Sequence, residues 1–163
     1  MIEMNVAGIA VDAGSRNPIV LLRDSSQRRQ LPIFISPEQA RAIQMVLEGE
    51  RAARPMTHDL MANILGAWEL TLQRVVIHAL RDNTFYAVMT IGKGDKKKEL
   101  DARPSDAISV ALRVNAPIWV MEEVMLDAAM PVDLDADAAE KEAFRDFVSD
   151  ISPADFVKRG RST

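Results

Sequence analysis

At 163 residues and a formal net charge of −4, the chain is long enough for one respectable hydrophobic core and too short for two comfortable domains. Hydrophobic residues at 48% and charged residues at 27% exclude a wholly disordered chain, and no uninterrupted apolar run is long enough to span a membrane. The absence of cysteine removes disulfides, thiolate metal sites and thiol nucleophiles together, so any chemistry must come from oxygen and nitrogen groups.

Ile2 to Val11 reads as a strand with partial alternation and PIVLLRD, from Pro18, as a second and more fully apolar one. The turn residues DAGSRN between them predict a hairpin. RQLPIFIS supplies a third strand and leads into a helix. There Ser36 is a good N-cap, Pro37 fits the first helical position and Gln39 completes a capping box. Ala40, Ile43, Val46 and Leu47 repeat at helical spacing before Gly49 ends the run. A second helix is expected from Thr57 to about Gly66, with Leu60, Ile64 and Leu65 facing inward. ELTLQRVVIHAL and TFYAVMTIG, separated by RDN, predict the two longest strands of an antiparallel hairpin. KGDKKK reads as a turn and KELDA as a shorter strand beside them. PSDAISVALRVN is a third helix and PIWVME a final strand.

This segregated order predicts an α+β fold: a mixed, mostly antiparallel sheet with helices packed on it. A domain over residues 1–130 is followed by an acidic helical extension over 131–163. Residues 133–150 hold seven acids against two bases, so the remainder is close to neutral. Phe144, Phe147, Val148 and Ile151 form the extension's docking stripe, and Ser152 and Pro153 open a last short helix. In the remainder the bases gather at Arg23, Arg28 and Arg29, at Arg41, Arg51 and Arg54, and at Lys93, Lys96, Lys97 and Lys98. They read either as solvated charges or as a phosphate-binding surface. The N-terminus carries an early acid where a signal peptide wants positive charge, which predicts a cytoplasmic protein with no membrane partner.

Two helix starts share one construction. ARPMTHDL around residue 54 and ARPSDAI from residue 102 each offer arginine, proline, a hydroxyl and an aspartate before an apolar helix. Proline pushes Arg54 and Arg103 into extended geometry. Thr57 and Ser105 are expected to accept from unpaired amides, and Asp59 and Asp106 sit in first turns where the helix dipole favours negative charge. His58 gains nothing as a cap, and the positive end of the dipole disfavours its protonated form. A neutral imidazole there suits a general base. Asp101, Arg103 and Asp106 place two carboxylates and a guanidinium within six residues, a set suited to orienting water or holding a divalent cation beside a phosphate. The other histidine, His78, lies in the apolar VVIHAL and reads as a satisfied sheet residue. Glu38 reads equally well as facing a site from the first helix or as an acid favoured in that helix's first turn.

LPIFIS followed by EQARAI, then RPMTHDL, TFYAVM, DARPSDAISVALR and PIWVMEEV together give the chain, along roughly residues 2 to 130, a resemblance to the bifunctional nuclease family, also known as the DUF151 or BFN domain. The resemblance implies a compact α+β domain that associates with itself and a nuclease activity on RNA and DNA in some members. The family's most characteristic polar residues fall here on Arg54, Thr57, His58, Asp59, Asp101, Arg103, Ser105 and Asp106.

The resulting expectation is a nuclease that hydrolyses phosphodiester bonds by acid–base or metal-assisted chemistry. His58, Asp59, Asp101 and Asp106 would be catalytic, and Arg54, Thr57, Arg103 and Ser105 would bind substrate. A divalent cation such as magnesium, with Asp59, Asp101 and Asp106 as its candidate ligands, is the cofactor to test, and the partners expected are RNA or DNA and further copies of the chain. The rival is a non-catalytic oligomeric module in which the same clusters are caps and salt bridges. A third reading is a regulator that binds a small phosphate at the helix N-termini.

Overall fold

The computed structural model describes residues 1–150, with side chains except those of residues 134–137, 140 and 150. Strands β1 (Ile2–Val11), β2 (Pro18–Asp24) and β3 (Arg29–Phe34) precede helices α1 (Pro37–Leu47) and α2 (Thr57–Ala67). Then come β4 (Thr71–Arg81), β5 (Thr84–Lys93), β6 (Lys96–Ala102) and α3 (Pro104–Val114). β7 (Ile118–Val120), α4 (Glu122–Ala128), β8 (Met130–Pro131) and α5 (Leu134–Asp150) complete the described chain. The fold is α+β. One sheet runs β6-β5-β4-β7-β1-β2-β3-β8, and β4 with β7 is its parallel pairing.

The core lies where cross-strand partners put their largest apolar side chains on one face. Met4, Ile118, Val75 and Met89 follow one another across four strands, and Val120, Ile77 and Ala87 across three. Bulges make this possible in the long strands. β1 shifts register between Val6 and Gly8, and β4 shifts between Leu72 and Arg74 and again between Ile77 and Ala79. Each extra residue reverses the in–out alternation, so Leu72, Val75, Ile77 and Leu80 can all point one way despite their uneven spacing. His78 falls in the last of these shifts and is exposed. It is a sheet residue, as expected, but on the solvent side of the strand.

The β4–β5 connection uses Asp82 and Asn83, both with positive φ (49° and 58°), the backbone a tight two-residue hairpin demands. β6 begins at Lys96, so it takes in the lysines expected in the turn. As the outermost strand it is exposed along nearly its whole length, and its lysines suit an edge that must not pair with another sheet. The short β8, absent from the sequence reading, pairs with β3 at Arg29 and Gln30.

Ser36 caps α1 as expected: its side chain accepts from the Gln39 amide while Gln39 accepts from the Ser36 amide. α3 contributes Ala107, Ile108, Val110 and Ala111 to the core, all fully buried. α5 packs on β1 through buried Phe144, with Phe147 and Val148 half-buried against the same core. Ile151, Ser152 and Pro153 lie outside the described residues. α2 differs from expectation. No residue of it is buried; Leu60 and Ile64 are about half exposed, and only Leu65 among the three expected inward residues packs against the core. The helix rests chiefly on α3 rather than on the sheet.

Candidate functional site

α3 starts where Arg103, held extended at φ −67° and ψ 141° by the proline that follows, gives way to Pro104. Apolar side chains fill its core side. A polar stripe of Asp106, Ser109 and Arg113 recurs at three- and four-residue steps, so that Asp106 and Arg113 stand nearly two turns apart on one face. The first turn of α2 lies against this stripe. His58 Nε2 is 2.9 Å from Asp106 Oδ1, and the next residue, Asp59, accepts from Arg113 Nε at 2.7 Å.

The His58–Asp106 contact fixes a tautomer. An ionised carboxylate only accepts hydrogen bonds, so Nε2 carries the proton and, in the neutral ring, the Nδ1 lone pair is available. Nδ1 has no hydrogen-bond partner among the described residues. Asp106 receives a second bond at its other oxygen, from Arg103 Nε at 2.8 Å. Partial burial pushes the Asp106 carboxyl up, and the bonds from Arg103 and His58 outweigh it, leaving the group below its ordinary value. The carboxylate is therefore ionised at neutral pH, as the tautomer argument requires.

Asp59 works in a second polar group. Besides the bond from Arg113 it accepts from the Met56 amide at 2.9 Å, capping α2 with its other oxygen. The Arg113 bond, then the Met56 amide, hold its carboxyl below the ordinary range. Arg113 itself is almost entirely buried and gives Nη1 to the Ser109 carbonyl (2.9 Å) and hydroxyl (2.7 Å), and Nη2 to the Ala42 carbonyl of α1 at 3.2 Å. A groove of about 580 Å³ beside it is lined by Arg51, Pro55, Asp59, Asn63 and Arg113.

Of the residues singled out in the sequence, His58, Asp106 and Arg103 come together. Asp59 is adjacent but committed to Arg113. Arg54 and Thr57 are exposed beside the start of α2. Asp101 is exposed on β6, opposite Val88, and shares no hydrogen bond or ion pair with the group. The hydroxyl caps expected of Thr57 and Ser105 do not form. The N-caps are Met56 and Arg103, neither with a side-chain cap bond, because each hydroxyl lies one or two residues inside its helix. Ser105 is buried. Asp59, Asp101 and Asp106 are not gathered as a ligand set, and among the described residues no three His, Asp or Glu side chains are grouped to hold a metal ion. Arg113 was missed by the sequence reading. Its signal was a basic residue seven positions after Asp106 and four after Ser109, at helical spacing within an apolar run.

A protein-family model described as a bifunctional nuclease domain matches residues 20–133. An uncharacterized protein of Mycobacterium tuberculosis is 37% identical over 162 residues, covering 94% of this chain and 97% of that protein. Bifunctional nuclease 1 of Oryza sativa subsp. indica is 23% identical over 124 residues, 74% of this chain and 38% of the rice protein.

Proposed function

The chain belongs to the bifunctional nuclease domain family, and from that premise we propose that it hydrolyses phosphodiester bonds in RNA or DNA with His58 as general base. The observation that carries the proposal is the His58–Asp106 hydrogen bond, which engages Nε2 and leaves Nδ1 as the ring's acceptor at a helix start whenever the imidazole is neutral. His58 Nδ1 takes a proton from water as the water oxygen attacks phosphorus; the ester P–O bond breaks and the departing oxygen is protonated from solvent. Asp106 orients the ring and stabilises the imidazolium formed. Arg103, bound to Asp106 through Nε alone and otherwise largely exposed, offers its remaining N–H groups to the phosphate, and Arg54, exposed just before α2, is the second guanidinium proposed to bind it. The dispersal of the acidic side chains supports acid–base chemistry over a metal held by Asp59, Asp101 and Asp106.

Cleavage of labelled single- and double-stranded RNA and DNA by purified protein, with and without chelator and beside identically purified His58→Ala, tests this reading. Loss of cleavage in the folded variant supports it. Equal cleavage by both proteins sinks it.

A second reading, an oligomeric module, is favoured by the outer surface of α2. Met56, Leu60, Met61, Ile64 and Trp68 are all exposed there, Trp68 at 72%. A run of large apolar side chains along one helix is the kind of surface another protein chain covers. Self-association through α2 is compatible with catalysis at its first turn. Without cleavage, it would stand as the protein's function.

A further inference from the structure

We propose that Arg113 is a positioning residue for His58, acting through Asp59. The inference rests on the reading of His58 as the base and adds a residue to the reaction.

α2 has no fully buried residue and sets only Leu65 against the core, so the packing that ordinarily fixes a helix about its own axis is weak here. Two polar links in its first turn do that work. His58 and Asp59 project about 100° apart around α2, and each is taken by a different residue of α3: His58 by Asp106, Asp59 by Arg113. One link alone would let the first turn roll about the bond. The pair fixes its rotation, and with it the direction in which His58 Nδ1 points.

Arg113 is built for this task. Its guanidinium binds α1 through the Ala42 carbonyl, α3 through Ser109 and α2 through Asp59. The planar fork cannot swing toward Asp59 without giving up its other bonds. Asp59 in turn spends one oxygen on Arg113 and the other on the Met56 amide, so the same carboxylate both starts α2 and docks it. Lysine at residue 113 would keep the charge and lose the fork.

Ring nitrogen spectra of the two histidines, recorded at one fixed pH in the full-length protein, test the proposal without depending on turnover. His78, on its strand bulge, serves as internal reference. Asp106→Asn supplies the signature of a perturbed His58 contact. Arg113→Met is expected to move the His58 signals toward that signature and leave His78 unchanged, and Arg113→Lys to recover part of the shift. Cleavage should fall by roughly a hundredfold in kcat, as for a base displaced by about 1 Å, with KM nearly constant. Unchanged His58 signals in folded Arg113→Met overturn the proposal. Should that variant fail to fold, Asp59→Asn decides in the same way, since it loosens the link and leaves Arg113 its other partners. Should the wild-type protein cleave nothing, the nuclease reading fails, while the ring signals alone decide whether Arg113 sets the pose of His58.

Discussion

Asp106 and Arg113, nearly two turns apart on one face of α3, hold consecutive residues of α2: His58 at 2.9 Å and Asp59 at 2.7 Å. An acid and a base on one helix thus grip a base and an acid on the next. Charge complementarity fixes the order, because exchanging the partners would set His58 against Arg113 and Asp59 against Asp106. The arrangement substitutes directional bonds for the apolar burial that α2 lacks.

Replacing His58 with alanine is expected to lower cleavage by about 10²–10⁴-fold with the fold retained. Asp106→Asn keeps the shape and can leave the ring in the other tautomer, so it should also reduce kcat, with a smaller effect on KM. Steady-state cleavage of a labelled oligonucleotide, with circular dichroism of each variant, checks both outcomes.

Acid should weaken the α2–α3 contact. Asp59 and Asp106 both sit below their ordinary value of 3.8 in the folded protein. A carboxyl lowered on folding adds stability above its unfolded value and loses it as pH falls through the folded one. The loss is therefore expected below about pH 4. Asp59→Asn should flatten the decline of thermal midpoint with pH in that window while lowering stability at pH 7. A decline as steep as that of the parent would count against Asp59 as a contributor.

Polar substitutions on the exposed face of α2 should alter association and little else. Leu60→Ser with Ile64→Ser and Trp68→Ser is expected to shift any oligomer toward monomer in sedimentation velocity. Each change, if made on an uncovered surface, should alter monomer stability by about 0.5 kcal/mol or less. An unchanged oligomer would place its interface elsewhere.

Phe144 anchors the acidic helix. At 3% exposure its replacement by alanine should cost about 3 kcal/mol and lower the thermal midpoint by roughly 10 °C. A negligible change in a calorimetric scan would show that α5 contributes little to the fold.

Much of the architecture could be read locally. The capping box at Ser36 and Gln39 involves residues three apart, and the hairpin turn at Asp82 and Asn83 depends on the backbone freedom of adjacent residues. Such features follow from covalent neighbours, so α1, the β4–β5 hairpin and the α+β order were legible. α2 marks the limit. Its length was legible, but Leu60 and Ile64 proved to face solvent, since helical spacing says which side chains share a face and nothing about what lies opposite. The bulges in β1 and β4 hid the alternation for a related reason: an extra residue is recognisable only against the strand it fails to match.

At the site, the sequence by itself determined that a histidine and an aspartate would open α2 and that an arginine and an aspartate would open α3. Tertiary structure alone decided that His58 meets Asp106, that Asp101 stays apart on β6, and that Arg113 joins the group. Hydrogen bonds act over about 3 Å, and residues 48 and 54 positions apart come within that reach only when the chain has folded.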